Sequence, residues 1–148
     1  MNDIFKKLKL CINNIIYLPP AKDAQIDFVS AMLKNDGFAP VPQDYIDFLK
    51  LTNGICSGIL EFFGTEKIKR ADYNYNFPNL IDANEIFKKS ENPLMKNSVL
   101  LGYNLLNAII YDNDEKLYKI VNRNFFTPVK SFITFKDVLN EIIKNLRD

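Results

Sequence analysis

The stretch Phe38-Ala-Pro-Val-Pro-Gln-Asp-Tyr-Ile-Asp-Phe-Leu-Lys-Leu-Thr-Asn-Gly-Ile55 limits the fold more tightly than any other part of the chain. Pro42 suits the first position of a helix, where a missing N–H costs nothing, and Asp44 in the first turn faces the positive end of the helix dipole. Tyr45, Phe48, Leu49 and Thr52 recur at i, i+3, i+4 and i+7, which gives one buried stripe with Asp47 and Lys50 outside it. Asn53-Gly54 is expected to stop the helix, because glycine takes a left-handed conformation at little steric cost. The central element is therefore a short helix with a heavily aromatic inner face.

Two helices are expected ahead of it. Ile4, Phe5, Leu8, Cys11, Ile12, Ile15 and Ile16 follow a 3.6-residue period over residues 3 to 16, and Pro19-Pro20 must end that helix. Ala24 to Asn35 sets Ile26, Val29, Met32 and Leu33 on one side, with Gly37 as the stop. After Gly54 the texture changes to short apolar runs bounded by glycine, such as Ile59 to Phe63 before Gly64, which is the pattern of strands and turns. Residues 65 to 80 lack a period and read as a long loop, of the kind that often carries function. Asp82 with Glu85 three residues on has capping-box spacing for a helix through Phe87.

Ser98 to Asn104, Asn107 to Asp112 and Lys116 to Val121 read as three strands in a meander. Phe125 to Ser131 adds a further strand, with Pro128 pointing to an edge or a strand end. The chain closes with a helix capped by Thr134, with Ile133 and Val138 spaced for a hydrophobic staple and Phe135, Val138, Leu139, Ile142, Ile143 and Leu146 as its stripe. The expectation is one α+β domain over residues 1–148, with an antiparallel sheet of four to six strands packed against N-terminal, central and C-terminal helices.

Several motifs in this order resemble one known family. Pro42-Gln-Asp-Tyr45, Phe48-Leu49, Asn53-Gly54, Gly58, Phe63-Gly64, Leu100-Leu-Gly-Tyr103, Ala108-Ile-Ile-Tyr-Asp112, Leu117-Tyr118 and Ser131-Phe132 resemble the SUKH superfamily over roughly residues 38 to 147. That superfamily gathers bacterial immunity proteins against polymorphic toxins and relatives of a fungal cell-wall (glucan) synthesis regulator. The resemblance implies a non-catalytic protein-binding module, an immunity protein that neutralises a toxin domain. The alternative is a regulatory scaffold or small-ligand-binding domain of the cell-wall regulator kind. Asn104-Leu-Leu-Asn107 departs from the family, whose members often carry glycine-rich turns there.

The composition narrows the chemistry. The 148 residues contain no histidine, which removes the usual general base and the commonest metal ligand together. Cys-His and Ser-His pairs are excluded, and two cysteines without histidine do not make an ordinary zinc site. A serine-lysine dyad has three candidate serines, Ser57, Ser90 and Ser131, with no spacing to favour one. Asp112-Asn-Asp-Glu115 lacks the glycine and terminal glutamate of a twelve-residue calcium loop and reads as a hairpin turn. The five glycines make neither GxGxxG nor a P-loop. No cofactor, metal or enzymatic activity is expected.

Nineteen basic against eighteen acidic residues give a net charge of +1, so no global field draws in a polyanion, and no nucleic-acid partner is expected. Cys11 and Cys56 are expected as reduced, buried small hydrophobes. No run approaches a membrane span and the N-terminus lacks a signal-peptide pattern, so the expected location is the cytoplasm. The expected contact residues are Tyr73 and Tyr75, which stand outside any stripe and have the amphipathic character of interface hot spots, together with the acidic turn Asp112, Asp114 and Glu115.

Overall fold

A computed structural model describes residues 1–12, 16–70, 75–88 and 96–147. Ile15, Tyr73 and Ser90 lie outside the described residues.

The central helix forms as its stripe requires. Tyr45, Phe48 and Leu49 of α3 (Gln43–Leu49) are buried, and Pro42 stands at the N-cap, one residue earlier than expected. The helix also ends sooner. The N–H groups of Leu51 and Thr52 both donate to the Phe48 carbonyl at 3.0 Å, tightening the last turn before Asn53 is reached. Gly54, at φ +107°, therefore serves a close approach rather than a helix cap: a Cβ there would lie 2.7 Å from the Phe62 carbonyl oxygen.

Seven strands build the main sheet, in the order β1-β2-β3-β6-β7-β8-β9, with every neighbouring pair antiparallel. They are β1 (Ile16–Tyr17), β2 (Ile55–Cys56), β3 (Leu60–Phe62), β6 (Ser98–Asn104), β7 (Asn107–Asp112), β8 (Leu117–Asn122) and β9 (Pro128–Phe132). The fold is α+β, but the sheet exceeds the four to six strands expected. The excess comes from two-residue strands, too short to show a period: Ile16 belongs to β1 and not to the first helix, α1 (Asn2–Cys11), which stops five residues early. The meander of β6, β7 and β8 forms as expected, and Pro128 opens the edge strand β9, where its missing N–H is harmless.

The region 65–80 is not one irregular loop. Ile68–Arg70 (β4) pairs antiparallel with Tyr75–Phe77 (β5) as a separate two-stranded sheet. It leads into α4 (Leu80–Lys88), whose cap is Asn79: its side-chain oxygen accepts from the Asp82 N–H at 2.9 Å, so Asp82 sits inside the first turn and not at the cap. The second helix, α2 (Asp23–Asn35), has the expected span and buries Ile26, Val29 and Leu33.

The core is organised by four rings, Tyr45 and Phe48 from α3, Phe62 from β3 and Phe135 from α5 (Phe135–Arg147). All six pairings among them have centroids within 6.3 Å. Tyr118 of β8 extends the cluster to the sheet, with its ring 5.7 Å from Phe135. Thr134 caps α5, accepting from the Asp137 N–H at 3.1 Å. The staple is absent because Ile133 is exposed while Val138 is buried. Neither cysteine is in a disulfide; Cys56 is buried as expected, whereas Cys11 is only half-buried.

Candidate surface at one end of the sheet

The registers divide the turns between two ends of the sheet. Leu60 pairs with Asn104 and Asn107 with Asn122, so the β2–β3, β6–β7 and β8–β9 turns share one end. Ser98 pairs with Asp112, which puts the β7–β8 turn at the other.

Three of these turns use the same device. Asn104 Oδ1 accepts from the N–H groups of Leu106 and Asn107 at 3.2 and 2.8 Å. Asp112 Oδ1 accepts from Asp114 and Glu115 at 2.9 and 3.2 Å. Asn122 Oδ1 accepts from Asn124 and Phe125 at 2.9 and 3.0 Å. An Asn or Asp side chain folds the backbone two and three residues on, so the side chains between are not dictated by the turn. One end carries Asn, Asp, Glu and Lys there, the usual solvated choice. The other carries Leu105 and Leu106, 66% and 74% exposed, and Phe125, 80% exposed.

Those leucines continue into a groove of about 420 Å³. Its aliphatic walls are Ile59 and Leu60 at the start of β3, Leu105 and Leu106 in the turn, and Ile142 and Leu146 on α5; its polar groups are the carboxamides of Asn104, Asn107 and Asn145. Ile59 and Leu146, each 37% exposed, widen the apolar surface around it. On the opposite face of the sheet at this end, the Arg123 guanidinium sits 4.1 Å from the centre of the Tyr103 ring, and the Arg123 N–H donates to the Leu106 carbonyl at 2.9 Å. Glu61, the cross-strand partner of Tyr103, has its pKa raised by burial, with the nearby Arg123 charge opposing part of that rise. Exposed apolar area of this kind, rimmed by polar groups, is characteristic of binding surfaces.

The contact residues expected from the sequence fall elsewhere. Tyr73 is outside the described residues, and Tyr75 is placed by its backbone in β5, opposite Arg70. Asp112, Asp114 and Glu115 lie together at the polar end, where internal bonds occupy them. Lys119 Nζ reaches both Asp112 Oδ2 and Glu115 Oε2 at 3.0 Å, and the Asn97 side-chain amide donates to Asp114 Oδ1 at 2.6 Å. Burial alone would raise the Asp112 pKa, but the Lys119 hydrogen bond and the Glu115 and Asp114 N–H groups outweigh it and hold the carboxyl below its ordinary value. That network accounts for the turn as structure. The apolar end was signalled in the sequence only by Asn104-Leu-Leu-Asn107, two leucines where a turn favours glycine, asparagine or aspartate.

Among the described residues no group of three or more Cys, Asp and Glu could hold a metal ion, and no helix is long and apolar enough to cross a membrane. No family model matches this chain, and no curated protein matches it.

Proposed function

We propose that this chain is a non-catalytic module that acts by contact with a protein partner through the apolar end of its sheet. The observation that carries the reading is the Leu105-Leu106 pair: two large aliphatic side chains kept in water at a turn whose backbone does not need them. Exposed leucines cost solubility, and a partner that covers them recovers the hydrophobic free energy, about 25 cal/mol per Å² of apolar area removed from water.

The class of partner comes from the resemblance to the SUKH superfamily. Its order of motifs supports an immunity protein, held in the cytoplasm and bound to a toxin domain made in the same cell. Co-expression with the neighbouring toxin gene tests both levels. Survival of the host and recovery of a stoichiometric complex are the expected results. A toxin that kills despite the chain, with no complex formed, removes the immunity reading.

A further inference from the structure

We infer that the groove between the β6–β7 turn and α5 takes an uncharged, aliphatic peptide segment of the partner, with a side chain against the leucines and main-chain amides on the asparagines. This rests on the reading of the chain as a protein-binding module and adds the chemistry of what enters it.

The lining decides the charge of the occupant. None of the lining side chains is ionisable. A carboxylate or ammonium entering the groove would give up hydration with no counter-charge among the lining side chains to meet it, which is costly in an apolar setting. A purely aliphatic occupant fails for the converse reason, because it would cover the carboxamides and leave their donors and acceptors unpaired. Asn104 has its oxygen committed to the turn, which leaves its NH2 as a donor. Among the described residues the side chains of Asn107 and Asn145 make no hydrogen bond, so each offers one acceptor and an NH2.

A peptide unit presents the complementary pair, one N–H and one C=O per residue, and a carboxamide can meet both at once. The volume of about 420 Å³ lies within the range of roughly 300–1,000 Å³ typical of concave binding sites. Net charge complementarity is then neutral against neutral, and binding at this site should be insensitive to salt.

The test is a ¹⁵N NMR titration of the full chain with three probes, N-acetyl-leucine N′-methylamide, N-acetyl-glutamate N′-methylamide and 1-hexanol. The leucine probe should bind at about millimolar Kd, a strength suited to so few atoms, with shifts centred on Ile59, Leu106, Asn107 and Asn145. The glutamate probe should not saturate these shifts. Asn145→Ala, on the exposed side of α5, and Asn107→Ala should each weaken the leucine probe by about fivefold while leaving hexanol unchanged. Hexanol binding as tightly as the leucine probe, asparagine variants that bind it normally, or no shift with any probe would each overturn the inference. A chain that protects its host yet shows no shift overturns this inference alone, whereas shifts without any complex overturn only the proposed function.

Discussion

Asn84 of α4 closes both hydrogen-bonding groups of Leu100 in β6: its side-chain oxygen accepts from the Leu100 N–H at 2.7 Å and its NH2 donates to the Leu100 carbonyl at 3.0 Å. Strand β3 has ended by this point, its last tie to β6 being the Phe63 N–H on the Leu101 carbonyl, and the register of β6 on β7 shifts between Leu100 and Gly102. A helix side chain thus stands in for the missing strand. Asn84→Ala strands two buried backbone groups and should cost about 2–4 kcal/mol, at about 1–3 kcal/mol for each unsatisfied group less what water recovers. Asn84→Asp should be nearly as harmful, because its carboxylate cannot donate to the Leu100 carbonyl. Urea unfolding measures both, and a loss under 0.5 kcal/mol would mean the bridge contributes nothing.

The four-ring cluster sets the scale of core losses. Phe48 touches the other three rings and Phe5 as well, with centroids 6.3 Å apart for that last pair. Phe48→Ala should cost about 3–5 kcal/mol, the usual range for a deleted buried ring. Tyr45→Phe keeps the ring and removes only a hydroxyl lying 2.5 Å from the Phe63 carbonyl and 3.2 Å from that of Leu101, for about 1–2 kcal/mol. Equal losses in the two variants would contradict the division between packing and hydrogen bonding.

Glycines separate close approach from free space. A Cβ on Gly64 would collide with the Asn53 carbonyl, and one on Gly102 with the Glu61 carbonyl, both rigid backbone atoms; one on Gly58 meets nothing. Gly64→Ala and Gly102→Ala should each destabilise by more than about 2 kcal/mol as the sheet is forced apart. Gly58→Ala should be neutral to slightly stabilising, by up to about 1 kcal/mol, through the unfolded chain. Thermal unfolding of the three variants side by side reads the contrast directly.

Legibility of this fold from sequence followed length and period. The β6–β8 meander, α2 and the α5 stripe are long enough to repeat their pattern, and their bounds fall within a residue of expectation. Strands β1, β2, β4 and β5 have two or three residues and no period to read, so Ile16 reads as the end of a helix and 68–77 as loop. The cap of α4 is Asn79 and not the expected Asp82, because the tertiary fold decides where the helix begins and which side chain meets the open Asp82 N–H. Asp112, Asp114 and Glu115 were visible as a turn, but their ties to Lys119 and Asn97 span different strands, and the apolar end emerges only when three distant turns are brought together.

The polar end should govern the pH dependence. Lys119 has its pKa raised: burial opposes the charge, but the hydrogen bonds to Glu115 and Asp112 outweigh it. Asp112, lowered in the folded state, contributes stability above its unfolded value of about 3.9 and loses it as pH falls through the folded value. Lys119 contributes fully below its unfolded value of about 10.4 and loses its share as pH rises through the folded one. Asp112→Asn should therefore cost about 1–3 kcal/mol at pH 7, where the full network operates, with a penalty that shrinks near pH 3. An unchanged penalty from pH 7 to pH 3 would show that charge plays no part.

The apolar end should separate binding from folding. Leu106 is 74% exposed, so Leu106→Asp removes little buried area and should change folding stability by no more than about 0.5 kcal/mol, the usual bound for a surface site. If the turn is the centre of the contact surface, the same change places a desolvated charge against the partner and should weaken the complex by at least about 2 kcal/mol, the level of a hot spot. Asp114→Ala at the opposite end should leave the complex untouched, since its carboxylate serves Asn97. Calorimetric titration against the co-purifying toxin domain, paired with melting curves, reads both quantities. Loss of binding in Asp114→Ala with retention in Leu106→Asp would move the contact surface to the acidic turn.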